Sequence, residues 1–420
     1  MAQAEAALII AQSGGPTPVV NASLAGVIQN AREQAHIGAI YGLVNSYEGA
    51  LKKEVIDLRR EPDETLRLLV ETPAAALGSG RYKVTEADYE RILALFQELN
   101  VRYFVNIGGN GSMVITHRLA ELAAAMGYPL LVMGVPKTID NDLAGTDHTP
   151  GYGSAARFLA LATRDTGRDL EAMVNFDDVL ILETMGRNAG WLAAAAALGK
   201  ESEADAPHLV YVPEIAFDET RFIEEVAAIH SHLKRVFIVV SEGIQDAQGQ
   251  LIGQYHLTDP VGRVVPGLAP GVGAYLTDLV RQKLGFQVRC LRPSLIGRSA
   301  SAYVSLTDRR EAWQVGFDAV KHLVAGRSGL MVNLERRSDQ PYECRTGLIS
   351  LAEVAAAGEK MMSRALMNEA GNMISADFWD YALPLIDGPL PKLARLQNHR
   401  IILERAEDGT PVQSGPDGRS

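Results

Sequence analysis

The sequence predicts an α/β protein built from two αβα, Rossmann-like domains with mainly parallel sheets. Three observations predict it. Short continuous apolar runs recur along the chain, as for strands buried on both faces. Each run ends in a polar turn, often rich in glycine. Segments with helical apolar spacing follow several of those turns. In such sheets ligands gather at the carboxyl ends of the strands, so the turns are expected to face one interdomain cleft.

The elements follow in order. Residues 6–11 form the first apolar run. "SGGPTPVVNAS" follows, then a helix over about 21–35, with Leu24, Val27, Ile28 and Ala31 at helical spacing and Asn21 as its N-cap. The second unit is a strand at 103–107, the turn "GGNG", and a helix carrying Leu119, Leu122, Ala123 and Met126. A third strand, 130–135, precedes "PKTIDND". A fourth, 179–184, precedes "MGRNAG" and an alanine-rich helix. Residues 208–213 and 236–243 supply the fifth and sixth strands. The tail "AEDGTPVQSGPDGRS" is polar and rich in Gly and Pro, and is expected to be disordered.

Bulk properties narrow the function. The 420 residues allow two or more domains, and 47% hydrophobic with 22% charged residues is ordinary for a globular chain. A formal net charge of -11 argues against generic nucleic-acid binding and against docking on anionic membranes. An anionic ligand would then need a local basic cluster. Cys290 and Cys344 are too few for a disulfide framework and fit a reducing compartment. The N-terminal stretch lacks a basic segment before its apolar run and does not read as a signal peptide. The most apolar later stretch, 191–199, is too short to span a bilayer. The expectation is a cytoplasmic enzyme or sensor.

Several motifs carry chemistry. "SGGPTP" places Gly14 and Gly15 where a strand turns toward a helix, and "GGNGS" repeats the device with Gly109, Asn110, Gly111 and Ser112. Such turns serve either steric need or backbone donation to a phosphate; two of them favour a polyphosphate site. Neither is a Walker A loop. "GYGSAA" fits dinucleotide spacing but does not follow a strand, so an oxidoreductase reading rests on it alone. In "PKTIDND", an extended run would put Thr138, Asp140 and Asp142 on one face beside Lys137. A carboxylate there can take a proton from a hydroxyl, and its partner can bind that hydroxyl or a metal. Arg187 in "MGRNAG" stands ready to pair with a phosphate or sugar oxygen, and Glu242 in "SEG" to accept from sugar hydroxyls. Arg289, Arg292 and Arg298 crowd one stretch, and "LGSGRYK" adds Arg81 and Lys83. The nine His show no metal-ligand spacing.

In this order and spacing, "SGGPTP", "GSGR", "GGNGS", "PKTIDND", "MGR", "SEG" and the Arg298 stretch resemble the phosphofructokinase family, from about residue 8 to about 340. The length and "GLISLAEVAAAGEKMM" resemble its bacterial pyrophosphate-dependent branch. The resemblance implies Mg²⁺-dependent phosphoryl transfer to the 1-hydroxyl of fructose 6-phosphate. Asp140 would be the general base, assisted by Thr138 and Asp142, with Arg81 stabilising charge in transfer. Gly14, Gly15, Gly109, Gly111, Ser112 and Lys137 would hold the donor phosphates. Met185, Gly186, Arg187, Glu242 and Arg298 would bind the sugar phosphate, with Arg289 reaching across a subunit interface in a homodimer or homotetramer. Asn110 and Asp142 would hold the metal.

The chain departs from the family pattern in places. Asn110 stands where an Asp is usual. Leu295 replaces an aromatic or His in the sugar-phosphate set. Asp178 replaces a basic residue and would repel phosphate if it pointed inward. A non-catalytic sugar-phosphate sensor is the reading these changes would favour. Gly111 resembles ATP users, whereas Lys137 and the whole chain resemble pyrophosphate users; pyrophosphate is the expectation taken. The domains are then expected at 1–150 plus about 297–345 for the donor and 151–296 for the sugar phosphate. A helical extension over 346–405 and a disordered 406–420 would complete the chain.

Overall fold

The computed structural model describes residues 6–80, 82–253, 257–258, 264–265, 271–396, 403–405 and 411–413. In chain order the strands are β1 (Ala6–Gln12), β2 (Ile37–Leu43), β3 (Val55–Asp57), β4 (Val101–Gly108), β5 (Leu131–Pro136), β6 (Val179–Thr184), β7 (Leu209–Tyr211) and β8 (Val236–Ser241). They continue as β9 (Leu257–Thr258), β10 (Val264–Val265), β11 (Val288–Leu291), β12 (Leu330–Asp339), β13 (Tyr342–Ser350), β14 (Leu403–Arg405) and β15 (Pro411–Gln413).

Two larger sheets organise residues 6–389. A seven-stranded sheet runs β13-β12-β5-β4-β1-β2-β3, and a four-stranded sheet runs β11-β6-β8-β7. All pairs in the smaller sheet are parallel. In the larger one only the edge pairs β2–β3 and β12–β13 are antiparallel. The predicted α/β class therefore holds. β1 shows why its sequence is apolar throughout: Leu8 and Ile10 pack into one core cluster, while Ala7, Ile9 and Ala11 pack into another. Successive side chains point to opposite faces, and helices cover both.

On one face the helices Val20–Glu33 and Leu306–Val324 nearly touch backbones. A Cβ on Gly26 would lie 2.2 Å from the Trp313 carbonyl oxygen, and one on Gly316 would lie 2.0 Å from that of Ser23. The first helix starts at Val20 and stops at Glu33, so Asn21 is not its cap. Asn21 is buried inside the first turn instead. Its Oδ1 accepts from Gln12 Nε2 at 3.0 Å and from the Ala76 N–H at 2.9 Å, and its Nδ2 donates to the Thr72 carbonyl at 3.0 Å. It ties the end of β1 to the loop before residue 80.

"GYGSAA" opens the helix Tyr152–Ala172. Asp308 accepts from the Gly151 N–H at 2.8 Å and from the Ser154 N–H at 2.9 Å. The helix N-terminus where a dinucleotide phosphate would sit is already filled by a carboxylate, which removes the oxidoreductase reading. The region expected to be helical from 346 begins as β13, paired along the edge of the larger sheet, and only then forms the helices Leu351–Ala357 and Ala376–Ala382. Residues 390–420 form a separate unit in which β14 and β15 pair antiparallel. Part of the tail expected to be disordered is thus a paired strand; the rest of 406–420 lies outside the described residues.

The backbone contact between the two helices gives the first prediction. Gly316→Ala would drive a methyl into a helix carbonyl that cannot rotate away, and should cost about 3 kcal/mol. Urea unfolding checks this, with an unchanged midpoint as the contrary result.

Candidate active site at the strand ends

The turns after β1, β4, β5 and β6 meet in a cleft of about 330 Å³. One wall is made of backbone and one buried cation. Gly14 sits at φ +80, a left-handed conformation that favours glycine. Lys137, 3% exposed, donates from Nζ to the Gly15 carbonyl at 2.7 Å. A Cβ on Gly14 would meet that Nζ at 3.2 Å, so the ammonium sits directly against the glycine turn.

The helix Asn110–Ala125 starts at the cleft with Gly109 as its N-cap and no side-chain cap. Its positive dipole end therefore faces the space where an anion would lie. Gly108 is required by crowding: a Cβ there would be 2.0 Å from Ser112 Oγ. The site around a Cβ on Gly111, in contrast, is open to 4 Å. Beneath the turns, Asn106 Nδ2 donates to Tyr47 Oη at 2.6 Å and to Thr116 Oγ1 at 2.7 Å, while Ser13 Oγ donates to Asn106 Oδ1 at 3.3 Å. This buried network fixes both glycine turns to one scaffold.

"PKTIDND" is not extended. Asn141 takes φ +56 and turns the chain, so Asp140 and Asp142 reach the cleft through a turn and not through strand alternation. Asn141 is fully buried; its Oδ1 accepts from the Thr149 N–H at 3.0 Å and its Nδ2 donates to Tyr381 Oη at 2.8 Å. Thr138 Oγ1 accepts from the Asp140 N–H at 3.1 Å.

Burial pushes the Asp140 carboxyl up to about 7, helped by the negative charges of Asp142 and Glu242 and opposed by Lys137. Burial and Glu359 also raise Asp142. Among the described residues Asn110 Oδ1 is buried without a hydrogen-bond partner, while its Nδ2 donates to the Asp142 carbonyl at 3.2 Å. An orphaned acceptor in a cleft that Asp142 also lines fits a bound cation.

Met185 and Arg298 also line the cleft. Gly186 is held by its carbonyl, which accepts from Ser241 Oγ at 2.5 Å. The Arg187 side chain is exposed, and its carbonyl packs where a Cβ on Gly243 would come within 1.6 Å. The "MGR" loop and the "SEG" turn are thus packed backbone to backbone.

Other expected residues lie elsewhere. Arg289 is exposed and donates to Asp177 at 2.7 Å; Arg292 pairs with Glu183 at 3.0 Å. Leu295 is 59% exposed and does not line the cleft. Asp178 accepts from His230 Nε2 at 2.9 Å and from the Gln287 N–H at 2.8 Å, so its charge is engaged away from the site. Arg81 lies outside the described residues.

Sequence reasoning missed Tyr47 and Glu359, both cleft-lining. It also missed a buried chain of ionic contacts. His148 lies between Asp147 and Glu311, each at 2.7 Å. Burial would lower the imidazole, but the two carboxylates hold it up to about 9. Cys344 stands with His148 and Glu311, yet a doubly paired imidazolium is not a metal ligand, and none of the three lines the cleft.

Comparison with known proteins settles the lineage. Residues 7–323 match the family described as phosphofructokinase. The chain belongs to the phosphofructokinase family. It is 40% identical over 391 residues to the pyrophosphate--fructose 6-phosphate 1-phosphotransferase of Xanthomonas campestris, covering 91% of this chain and 92% of that one. It is 37% identical over 360 residues to the sulfofructose kinase of Alkalicoccus urumqiensis, covering 86% and 91%. The crystal structure of the pyrophosphate-dependent phosphofructokinase from Marinobacter aquaeolei superposes with a TM-score of 0.83 at 36% identity, covering 96% of this chain and 98% of that one.

Within this family member, the buried lysine lends itself to a direct test of phosphate binding in the cleft. Lys137→Met should weaken binding of inorganic pyrophosphate at least about tenfold, since a charge-assisted contact is worth some 1.5–3 kcal/mol. Titration calorimetry reads it, and equal affinity in the variant would remove Lys137 from the site.

Proposed function

We propose that the protein transfers a phosphoryl group from pyrophosphate to the 1-hydroxyl of fructose 6-phosphate, giving fructose 1,6-bisphosphate. One observation carries the reading: a carboxyl poised at about 7, Asp140, shares a cleft with a glycine cradle and a buried lysine. The names and overall likeness of the relatives support the acceptor and the donor.

Asp140 takes the proton of the 1-hydroxyl as that oxygen attacks one phosphorus of pyrophosphate; the bridging P–O bond breaks and the other half leaves as orthophosphate. Lys137 and the helix start at Asn110 stabilise charge on the transferring and leaving phosphates. Thr138 holds the Asp140 backbone, and Arg298 with the Met185–Arg187 loop positions the sugar phosphate. Arg81 is assigned to the transferring phosphate by its place in the family pattern. Asn110 and Asp142 would hold Mg²⁺, which, when bound, offsets the negative charge of the donor. The reading carries with it a cytoplasmic setting and a homodimer or homotetramer. Exposed Leu295, Ile296 and Leu306 supply apolar surface for such a contact. Among the described residues no helix is long and apolar enough to cross a membrane.

A second reading, ATP as donor, is favoured by Gly111. Among the described residues nothing lies within 4 Å of where a Cβ on it would stand, which leaves that side of the cleft open. Initial rates with pyrophosphate and with ATP decide between them. The expected outcome is turnover with pyrophosphate and at least about tenfold less with ATP. The reverse order would transfer the assignment to ATP. Running sulfofructose beside fructose 6-phosphate tests the acceptor at the same time.

Asp140→Asn should lower kcat about a thousandfold while leaving the dissociation constant for fructose 6-phosphate within a few-fold. The wild-type rate should rise with pH through about 7, because Asp140 acts as a base only after losing its proton. Full activity retained in the variant would remove Asp140 as the base, whereas a wild type that binds fructose 6-phosphate and turns over with neither donor would point to a sensor and not an enzyme.

A further inference from the structure

Glu359 belongs to none of the strand-end motifs and lies beyond residues 7–323, the stretch matched by the family. Its carboxylate nevertheless lines the cleft. The segment that carries it is tied to the loop after β5. Glu359 bridges Leu143 antiparallel, the Lys360 N–H donates to the Asp142 carbonyl at 2.6 Å, and Lys360 Nζ donates to the Asp147 carbonyl at 2.7 Å. The same segment is tied to the loop after β6. Asn188 Nδ2 donates to Glu359 Oε2 at 2.6 Å, and Trp191 Nε1 donates to the Lys360 carbonyl at 3.2 Å. A carboxylate at the edge of a cleft for two anions weakens their binding, so its presence needs another reason.

We propose that Glu359 is a positioning residue that clamps the Met185–Asn188 loop to the Asp140–Leu143 loop and so sets where the acceptor hydroxyl meets Asp140. This rests on the phosphoryl-transfer reading. The Glu359 carboxylate oxygen is what holds Asn188. Glu359→Gln keeps an acceptor for Asn188, and Glu359→Ala removes it.

The test compares wild type, E359Q and E359A by KM for fructose 6-phosphate with pyrophosphate and by amide hydrogen exchange in peptides covering 141–145 and 186–190. E359Q should keep KM within about twofold and exchange as in wild type, because its amide oxygen still accepts from Asn188. E359A should raise KM at least about fivefold and speed exchange in both loops. Unchanged KM or unchanged exchange in E359A, or the same losses in E359Q as in E359A, overturns the proposal. If wild type turns over with neither donor, the phosphoryl-transfer reading fails and the exchange arm alone decides the clamp. Faster exchange in both loops upholds it, and unchanged exchange overturns it. If E359A does not fold, N188A, which removes the donor at an exposed position, decides by the same exchange reading.

Discussion

A carboxylate kept out of water beside a buried ammonium is the constraint from which much of this site follows. As the proposed base, Asp140 would have to be basic enough to accept a proton yet remain ionisable at neutral pH. Burial alone would push it higher; Lys137 pulls it back. Holding that balance requires the loop after β5 to be rigid. Asn141 provides the rigidity by adopting a left-handed conformation and spending both ends of its amide on Thr149 and Tyr381. Tyr381 lies some 240 residues further on. The loop that carries the chemistry is therefore anchored by the part of the chain that follows the family match.

The lysine is constrained in turn. Its ammonium donates to the Gly15 carbonyl, and the turn that offers that carbonyl closes only because Gly14 can take a positive φ. A side chain at Gly14 would be strained and would press on the ammonium as well. The glycines after β1 therefore answer both possible needs at once, backbone conformation and close approach. Gly108 answers crowding alone, against Ser112. Gly111 answers neither, and its open surroundings are why it bears on the choice of donor.

The strands and the strand-end turns were legible because their causes are local. A strand buried on both faces must be apolar at every position, and β1, β4, β5 and β6 read that way directly. Asn21 was misread for the same reason: its type and place suit an N-cap, but Gln12 and the 72–76 loop claim it, and they are distant in sequence. The arginines at 289 and 292 suggested a basic pocket by crowding. Asp177 and Glu183, more than a hundred residues earlier, occupy them. Thr138, Asp140 and Asp142 were found by the right reasoning about position and the wrong reasoning about backbone, since a turn at Asn141 does what alternation was expected to do. Glu359 carried no signal of its own, because nothing near it in sequence is polar in a patterned way.

The charge count of the cleft bears on the metal. Asp140, Asp142, Glu242 and Glu359 bring negative charge to the cleft or its edge, against Lys137 and Arg298 among the described cations. Pyrophosphate and a sugar phosphate add several more negative charges. In a partly desolvated space such a sum opposes binding by several kcal/mol unless a cation enters with the substrates. Asn110 Oδ1 is a buried acceptor that no donor among the described residues satisfies, and its amide nitrogen donates to the Asp142 carbonyl. Were Asn110 and Asp142 to hold the cation as proposed, Asn in place of a carboxylate would lower the negative charge of that ligand set by one. More of the affinity for the cation would then have to come from the oxygens of the substrates that enter with it.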